Sequence, residues 1–253
     1  MVLSVLSNIW TPPAVSSEAF AWRASAWRLV ESQHIAATMK LVDDQVEQDL
    51  LESLLESSKP AIVPEAESLD YLLATPFRYD PYRGGSRFRG DTDPGVFYGA
   101  ETLRTACAEL GYWRWRFLMD CDGLERIGPV AHTAFRVAVA TTVVDLQRPP
   151  FDVDRAVWRH PTDYAPTQRF ARIAREAGVG GILYRSVRDL EPAWCLALLT
   201  PAGFADRKPR DERQTWYLAV SPREVTLRRH AESMQFQTDD WIAPSKAAIR
   251  GNR

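Results

Sequence analysis

The chain has 253 residues, of which 45% are hydrophobic and 25% charged, and these values predict one domain with a sizeable core. The 31 Lys and Arg residues nearly balance the 33 Asp and Glu residues, which gives a net charge of −2 at pH 7. This balance excludes the broad positive field of a general nucleic-acid-binding protein, so we expect no direct nucleic-acid partner.

Cysteine and histidine spacing argues against a metal site. Cys107, Cys121 and Cys195 lie too far apart for a metal knuckle or a redox pair, and their odd number argues against a disulfide framework. The histidines, at positions 34, 132, 160 and 230, also lack metal-ligand spacing. No apolar run approaches the roughly 20 residues that span a bilayer, and the first ten residues lack a basic leader. We therefore expect a soluble cytoplasmic protein in a reducing compartment, with no membrane partner.

The first long regular pattern along the chain is helical. His34 to Ser58 carries Leu and Val residues at helical intervals, and Pro60 stops the pattern. A second, shorter helix is predicted from Glu65 to Ala74, ending before Pro76. Together these segments predict a helical insertion over residues 34–74 that packs against the main sheet. A structural brace is one interpretation of the insertion, and a partner-binding or substrate-gating surface is the other.

The next elements carry an arginine, a tyrosine and a glutamate at equal intervals of 11 residues, namely Arg87, Tyr98 and Glu109. The glycine-rich stretch that ends in Arg87 is predicted to be a loop or the start of a strand. Residues 96–99 are predicted to form a short buried strand, and residues from Glu101 onward a helix. These elements can bring the three side chains to one small molecule.

Each of the three residue types suits one part of a dinucleotide such as NAD. The guanidinium of Arg87 offers paired donors to phosphate oxygens. The ring of Tyr98 can stack on a heteroaromatic group while its hydroxyl makes a polar contact. The carboxylate of Glu109 can hold a ribose hydroxyl or stabilise the positive charge that develops on a sugar carbon during glycosyl transfer.

Helical geometry places Glu109 at the rim of an apolar stripe. The apolar residues between positions 103 and 110 share one side of the helix, and Glu109 lies about 110° from its centre, beside Trp113. A carboxylate there can reach a cleft, although an ordinary boundary glutamate is the alternative interpretation. Of the aromatic residues that follow, Trp113, Trp115 and Phe117 are predicted to belong to the core rather than to a base-stacking surface.

The second half of the chain is predicted to consist mainly of strands around one helix. The helix covers Tyr164 to Ala177, and the strands cover residues 135–146, 180–186, 194–199, 215–220 and 224–229. Ser186 ends one buried strand, where its hydroxyl can face a cleft; a satisfied strand-end serine is the alternative. Residues 238–253 are predicted to form a loose C-terminal tail.

At these motifs the sequence resembles the RES domain family, which is named for its arginine, glutamate and serine. The matching blocks occur in the family's order and are Ala26-Trp27-Arg28-Leu29-Val30, Gly84-Gly85-Ser86-Arg87-Phe88, Val96-Phe97-Tyr98, Thr105-Ala106-Cys107-Ala108-Glu109 and Gly180-Gly181-Ile182-Leu183-Tyr184-Arg185-Ser186. The resemblance implies a fold like that of the ADP-ribosyltransferase toxins, NAD as the consumed substrate and an Xre-type antitoxin as a protein partner.

The resemblance also implies a role for each matched site residue. Arg28 and Arg87 would hold the NAD phosphates, Tyr98 would stack near the nicotinamide, Glu109 would assist its departure, and Ser186 would line the same pocket. The similar Ala21-Trp22-Arg23 segment makes Arg23 a rival for the role of Arg28.

The sequence therefore predicts a single α+β domain, residues 1–253, with an ADP-ribosyltransferase-like mixed sheet and a helical insertion. The predicted function is that of an NAD-consuming toxin that cleaves the nicotinamide to ribose bond and passes ADP-ribose to phosphate or water. A mono-ADP-ribosyltransferase that modifies a cellular protein is the first alternative. A non-catalytic nucleic-acid or protein-binding module, built on the arginines and aromatic residues of residues 77–90, is the second. NAD is expected as substrate, and neither a metal nor a prosthetic group is required.

Overall fold

The computed structural model describes residues 10–32, 44–78, 85–191 and 193–242. Its helices are α1 (Pro12–Ser17), α2 (Gln45–Ser57), α3 (Tyr71–Arg78), α4 (Leu103–Asp120), α5 (Arg155–Trp158), α6 (Ala165–Glu176) and α7 (Asp239–Ile242). Its strands are β1 (Phe20–Glu31), β2 (Phe97–Ala100), β3 (Ile127–Asp145), β4 (Gly181–Arg185), β5 (Trp194–Leu198), β6 (Gln214–Val220), β7 (Glu224–Arg229) and β8 (Glu232–Gln237).

The strands form one mixed sheet in the order β1-β2-β5-β4-β3-β6-β7-β8. Strand β1 also pairs with β3, so that β1, β2, β5, β4 and β3 close into a ring from which β6, β7 and β8 extend. The pairing of β3 with β4 is parallel, whereas the other pairings are antiparallel. The predicted α+β fold with a mixed sheet is confirmed.

One strand is longer than predicted, and one strand was not predicted. Strand β3 begins at Ile127 rather than near residue 135, because its first part, residues 127–134, pairs with β6, and residues 132–143 pair with β1. Strand β8 was not predicted. It forms a hairpin with β7 whose turn contains His230 at φ 49°, a left-handed conformation that few residues other than Gly adopt.

The described part of the helical insertion is less packed than predicted. Helix α2 starts at Gln45, and residues 34–43 lie outside the described part of the chain. Its apolar residues Val46, Leu50 and Leu54 are exposed, so this helix does not bury its apolar side against the described sheet.

Helix α3 replaces the predicted helix from Glu65 to Ala74. It starts at Tyr71 because Asp70 caps it, accepting the Leu72 amide proton at 2.9 Å. It continues through Pro76 to Arg78, because Phe77 is buried in the core and holds the last turn in place. The predicted stop before Pro76 is therefore wrong.

Residues 238–242, predicted as the start of a loose tail, pack on the domain instead. Thr238 is buried, and its hydroxyl donates to the Pro222 carbonyl at 2.8 Å. Trp241 is also buried, and its indole N–H donates to the Arg188 carbonyl at 2.8 Å. Burial of a tryptophan contributes enough apolar area to hold helix α7 on the domain. The prediction for residues 243–253 falls outside the described residues.

Helix α4 is the element that carries Glu109 to the sheet. Thr102 caps its first turn by accepting the Thr105 amide proton at 3.0 Å. One side of the helix, including Ala108 and Tyr112, packs into a core cluster with β6 and β7. The position of Glu109 on the adjoining side follows from this packing, because side chains one residue apart differ by about 100° around a helix.

Candidate functional site

A cavity of about 210 Å³ brings together residues that are far apart in the sequence. Its walls include Arg28, Arg87, Tyr98 and Glu109, four of the five residues predicted for the site. The fifth, Ser186, lies behind Glu109 and contacts its carboxylate. Arg23, the rival of Arg28 on the same strand, is exposed and does not line the cavity.

Arg28 is a partly buried cation with one unused donor. Its Nη1 donates to the Tyr98 carbonyl at 2.8 Å, and its guanidinium carbon lies 4.7 Å from the centroid of the Phe97 ring. Its Nε is buried and has no hydrogen-bond partner. Burial lowers the pKa of Arg28 to about 10, so the group remains protonated at neutral pH. Among the described residues no carboxylate pairs with it, and an anion in the cavity would supply the missing partner.

The loop that carries Arg87 is a tight turn closed by two hydrogen bonds. The Ser86 amide donates to the Arg89 carbonyl at 2.7 Å, and the Arg89 amide donates back to the Ser86 carbonyl at 3.2 Å. Gly85 enters this turn at φ 65°, where a Cβ atom would lie only 2.0 Å from the Arg89 oxygen. Glycine is therefore required here, as the Gly-rich motif predicts.

The guanidinium of Arg87 is buried and fixed by neutral groups. Its Nη1 donates to the carbonyls of Trp158 at 3.0 Å and His160 at 2.9 Å. Its guanidinium carbon lies 4.7 Å from the centroid of the Tyr164 ring. Within the described residues it makes no ion pair, so its charge is available to an anionic ligand.

Tyr98 uses its hydroxyl to hold the Arg87 loop. The hydroxyl accepts the Phe88 amide proton at 2.9 Å and shares a hydrogen bond of 2.7 Å with the Ser86 hydroxyl. Burial raises the pKa of Tyr98 to about 12, so it stays protonated. The polar contact predicted for this hydroxyl is thus made to the protein, and Tyr98 lines the cavity.

Ser186 holds the Glu109 carboxylate in one orientation. The serine oxygen accepts the amide protons of Arg188 and Asp189, each at 3.1 Å. Its own proton is therefore donated to Glu109 Oε1, at 2.6 Å. The Cys195 thiol lies 4.0 Å from the same oxygen, and burial raises its pKa well above the usual value, so it stays a neutral neighbour. Ser186 thus acts on the site through Glu109.

Two site residues were missed by sequence reasoning. Tyr164, predicted only as the start of a helix, lines the cavity and supports Arg87. Arg188 is buried, lies over the Tyr112 ring at 3.4 Å, and donates to the Tyr164 hydroxyl at 3.1 Å and to the Pro161 carbonyl. The one available signal was the position of Arg188 two residues after Ser186, at the end of a buried strand.

Of the three aromatic residues predicted to belong to the core after Glu109, only one is buried there. Trp115 is buried in the core, as predicted. Trp113 and Phe117, also predicted to be core, are 45% and 54% exposed. Helix periodicity explains the difference, because positions 113 and 117 are one turn apart and share a side of α4 that Trp115 does not. Trp113 lines the cavity, whereas Phe117 lies beyond it.

The assembled cavity suits an anionic ligand with a heteroaromatic group. It combines two buried guanidinium groups, a fixed carboxylate and several aromatic rings. Such a site can bind phosphates and stabilise a cation at a sugar carbon without acid–base transfer. Among the residues described, no group of three or more His, Cys, Asp and Glu side chains could hold a metal ion. No helix in the described ranges is long and apolar enough to cross a membrane.

Comparisons with known proteins match the chain to one family. A model of the RES domain matches residues 62–221, which is more than half of the chain. The matched segment contains Arg87, Tyr98, Glu109 and Ser186, whereas Arg28 precedes it. No curated protein matches the sequence. Among solved structures, the chain is similar to one in the crystal structure of the M. tuberculosis MbcT-MbcA toxin-antitoxin complex, with 11% identity over 88% of this chain and 90% of that chain, and a TM-score of 0.43.

Proposed function

Because the chain belongs to the RES domain family, we propose that it cleaves the nicotinamide to ribose bond of NAD. One observation carries this proposal: two arginines that pair with no carboxylate among the described residues meet a serine-held glutamate at one cavity. A dinucleotide has the matching groups, since its pyrophosphate is anionic and its sugar carbon becomes cationic when the ring leaves.

Arg28 and Arg87 would bind the pyrophosphate of NAD. Both are fixed before the ligand arrives, Arg28 through the Tyr98 carbonyl and Arg87 through the carbonyls of Trp158 and His160. Because these bonds use only part of each guanidinium, further N–H groups remain for phosphate oxygens. Pre-arranged donors lose little entropy on binding, which favours affinity.

Glu109 would stabilise the transition state of bond cleavage. The bond between the ribose carbon and the nicotinamide nitrogen breaks, and its electron pair leaves with nicotinamide, which becomes neutral. The positive charge remaining on the ribose is stabilised by the Glu109 carboxylate, which Ser186 holds in place. An acceptor oxygen then bonds to the ribose carbon. If the acceptor is water it releases a proton and gives ADP-ribose; if it is phosphate the product is an ADP-ribose phosphate ester.

Tyr98 would contribute through its ring. Its hydroxyl is occupied by the Phe88 amide and Ser86, so proton transfer from this group would require the Arg87 loop to open. Stacking beside the nicotinamide needs no such change.

The biological role proposed with this chemistry is that of a growth-arresting toxin neutralised by an Xre-type antitoxin. This role rests on membership of the RES domain family. A small acceptor is favoured over a protein target because the sequence shows no target-recognition motif. Modification of a cellular protein remains the second candidate, and the exposed apolar side of α2 is the observation that favours it. A non-catalytic binding module would use the same arginines without turnover.

The deciding experiment measures nicotinamide release from NAD by the purified protein and by Glu109→Gln. The amide oxygen of the new residue can still accept from Ser186, so the variant should fold and lose about 100-fold to 10,000-fold in turnover. Asp120→Asn, at the exposed end of the same helix, is the matched control and should behave as wild type. No nicotinamide release by folded wild-type protein would favour the binding-module alternative.

A second experiment separates the acceptors. Labelled NAD is incubated with the protein and phosphate, and then with cell lysate. We expect the label mostly in free ADP-ribose or its phosphate ester. Label accumulating on one lysate protein while bulk NAD survives would instead support the ADP-ribosyltransferase alternative.

A further inference from the structure

The mouth of the cavity is bordered by two aromatic rings that the proposed chemistry does not use. Trp113 projects from α4 one turn after Glu109, and Tyr164 stands just before α6. Both line the cavity, and their ring centroids are 6.3 Å apart with planes inclined by 57°.

Tyr164 forms a fixed wall of this mouth. Its hydroxyl accepts from Arg188 Nη2 at 3.1 Å and donates to the Pro161 carbonyl at 3.2 Å. Its ring also contacts the Arg87 guanidinium, so that a ligand phosphate at Arg87 would lie close to this ring. The orientation of the Tyr164 ring is therefore set before any ligand binds.

Trp113 is the adjustable wall. Its side chain is 45% exposed, and among the described residues its indole N–H has no hydrogen-bond partner. Its ring contacts are those with Tyr112, at 5.4 Å between centroids, and with Tyr164. A ring inserted between two others needs about 7 Å, or twice a carbon contact distance of about 3.5 Å. The two centroids are 6.3 Å apart and the planes are inclined by 57°, so the exposed Trp113 ring must turn away from Tyr164 and become parallel to it before a base fits between them.

The size of the cavity leaves part of a dinucleotide outside it. The cavity holds about 210 Å³, whereas sites that enclose a drug-sized ligand have roughly 300 to 1,000 Å³. If the nicotinamide ribose occupies the space at Glu109 and the phosphates lie at Arg28 and Arg87, the remaining nucleoside lies at the mouth. That nucleoside carries the adenine ring.

We propose that Trp113 and Tyr164 sandwich the adenine ring of NAD and thereby select an adenine dinucleotide over a mononucleotide. This inference rests on the proposed function, because the orientation of NAD is taken from the role of Glu109. The clamp binds the part of the substrate that does not react, so it lowers KM and leaves the bond-breaking step unchanged.

The test compares Trp113→Ala with Phe117→Ala, a matched control one turn further along the same side of α4 and outside the cavity. Because stacking on an aromatic side chain contributes about 5-fold to 150-fold in affinity per base, Trp113→Ala should raise KM for NAD by that factor with kcat unchanged. Phe117→Ala should match wild type. Trp113→Phe keeps a ring and should recover part of the loss.

A second ligand pair identifies which ring is clamped. ADP-ribose contains adenine, so its dissociation constant, measured by calorimetry, should rise in Trp113→Ala by the same factor as KM. Nicotinamide mononucleotide lacks adenine, and its inhibition constant against NAD cleavage should not change. An unchanged KM for NAD, or an equal weakening of both ligands, would overturn the adenine clamp.

The two proposals fail in different ways. Wild-type protein that binds ADP-ribose but releases no nicotinamide contradicts NAD cleavage, and the ADP-ribose comparison still tests the clamp. Wild-type protein that cleaves NAD, together with a Trp113→Ala variant that is kinetically normal, overturns the clamp and leaves the proposed function standing. Wild-type protein that binds neither ADP-ribose nor NAD contradicts both.

Discussion

Replacement of Arg28 by methionine should weaken the use of NAD while leaving the folded protein about as stable as wild type. Methionine has a similar length and can pack on Phe97, but it carries no charge and no donor. The matched control is Arg23→Met on the same strand, because Arg23 is exposed and outside the cavity. If Arg28 belongs to the site, only Arg28→Met should lower kcat/KM for NAD, and Arg23→Met should not.

The effect on stability should be small because two contributions oppose each other. The lowering of the Arg28 pKa from 12.5 to about 10 corresponds to about 3 kcal/mol of desolvation, which the methionine variant recovers. The variant loses the charged hydrogen bond to the Tyr98 carbonyl, about 1.5 to 3 kcal/mol, and the contact with the Phe97 ring, about 0.5 to 1 kcal/mol. The net change in the free energy of unfolding should stay within about 1 kcal/mol.

The effect of Arg28→Met on kcat/KM for NAD should be large. Two N–H groups of the Arg28 guanidinium can make charge-assisted bonds to phosphate, each contributing about 1.5 to 3 kcal/mol. Their loss should lower kcat/KM by about 100-fold to 10,000-fold. Urea unfolding measures the stability, and nicotinamide release measures kcat/KM. If Arg28→Met retains kcat/KM within a few-fold of wild type, the phosphate role of Arg28 is refuted. If Arg23→Met shows the loss instead, the role belongs to Arg23.

Three further perturbations test other parts of the site and core. Arg87→Lys should impair NAD use nearly as much as Arg87→Ala, because lysine keeps the charge but loses the paired donors; a wild-type KM and turnover in the lysine variant would make Arg87 a structural residue only. Tyr98→Phe keeps the ring but leaves the Phe88 amide without its acceptor. Urea unfolding should therefore show a free energy of unfolding lower by about 1 to 3 kcal/mol, and KM for NAD should rise. Unchanged stability would contradict the role of Tyr98 in holding the Arg87 loop. Burial raises the pKa of Cys107 from 9.0 to about 12, so above pH 9 the unfolded chain loses the thiol proton while the folded chain keeps it. The free energy of unfolding should therefore fall as pH rises, by up to about 1.4 kcal/mol per pH unit from this group, and Cys107→Ala should show a shallower decline in urea unfolding between pH 8 and pH 10; an equal slope in both proteins would contradict this.

The sequence by itself determined the local elements and much of the site. Three local features were predicted from the sequence: the glycine-rich loop before Arg87, the apolar strand around Tyr98 and the rim position of Glu109 on its helix. These features depend on backbone conformation and periodicity over a few residues, and short-range patterns record such information directly.

Only the tertiary structure showed that Arg28 rather than Arg23 lines the cavity and that the Ser186 hydroxyl donates to Glu109. Both arginines lie on β1, and the pairing of that strand with β2 and β3 sets which one reaches the cavity. The Ser186 hydroxyl meets Glu109 across 77 residues of sequence.

The same dependence on tertiary packing explains why Tyr164 and Arg188 were missed and why Trp113 was predicted to be core. Tyr164, Arg188 and Trp113 come together through the packing of α4, α6 and the segment after β4. Contacts of this kind depend on strand register and on helix packing between distant segments. A single sequence does not record them, because the energies that fix them come from burial shared by many residues rather than from any local pattern.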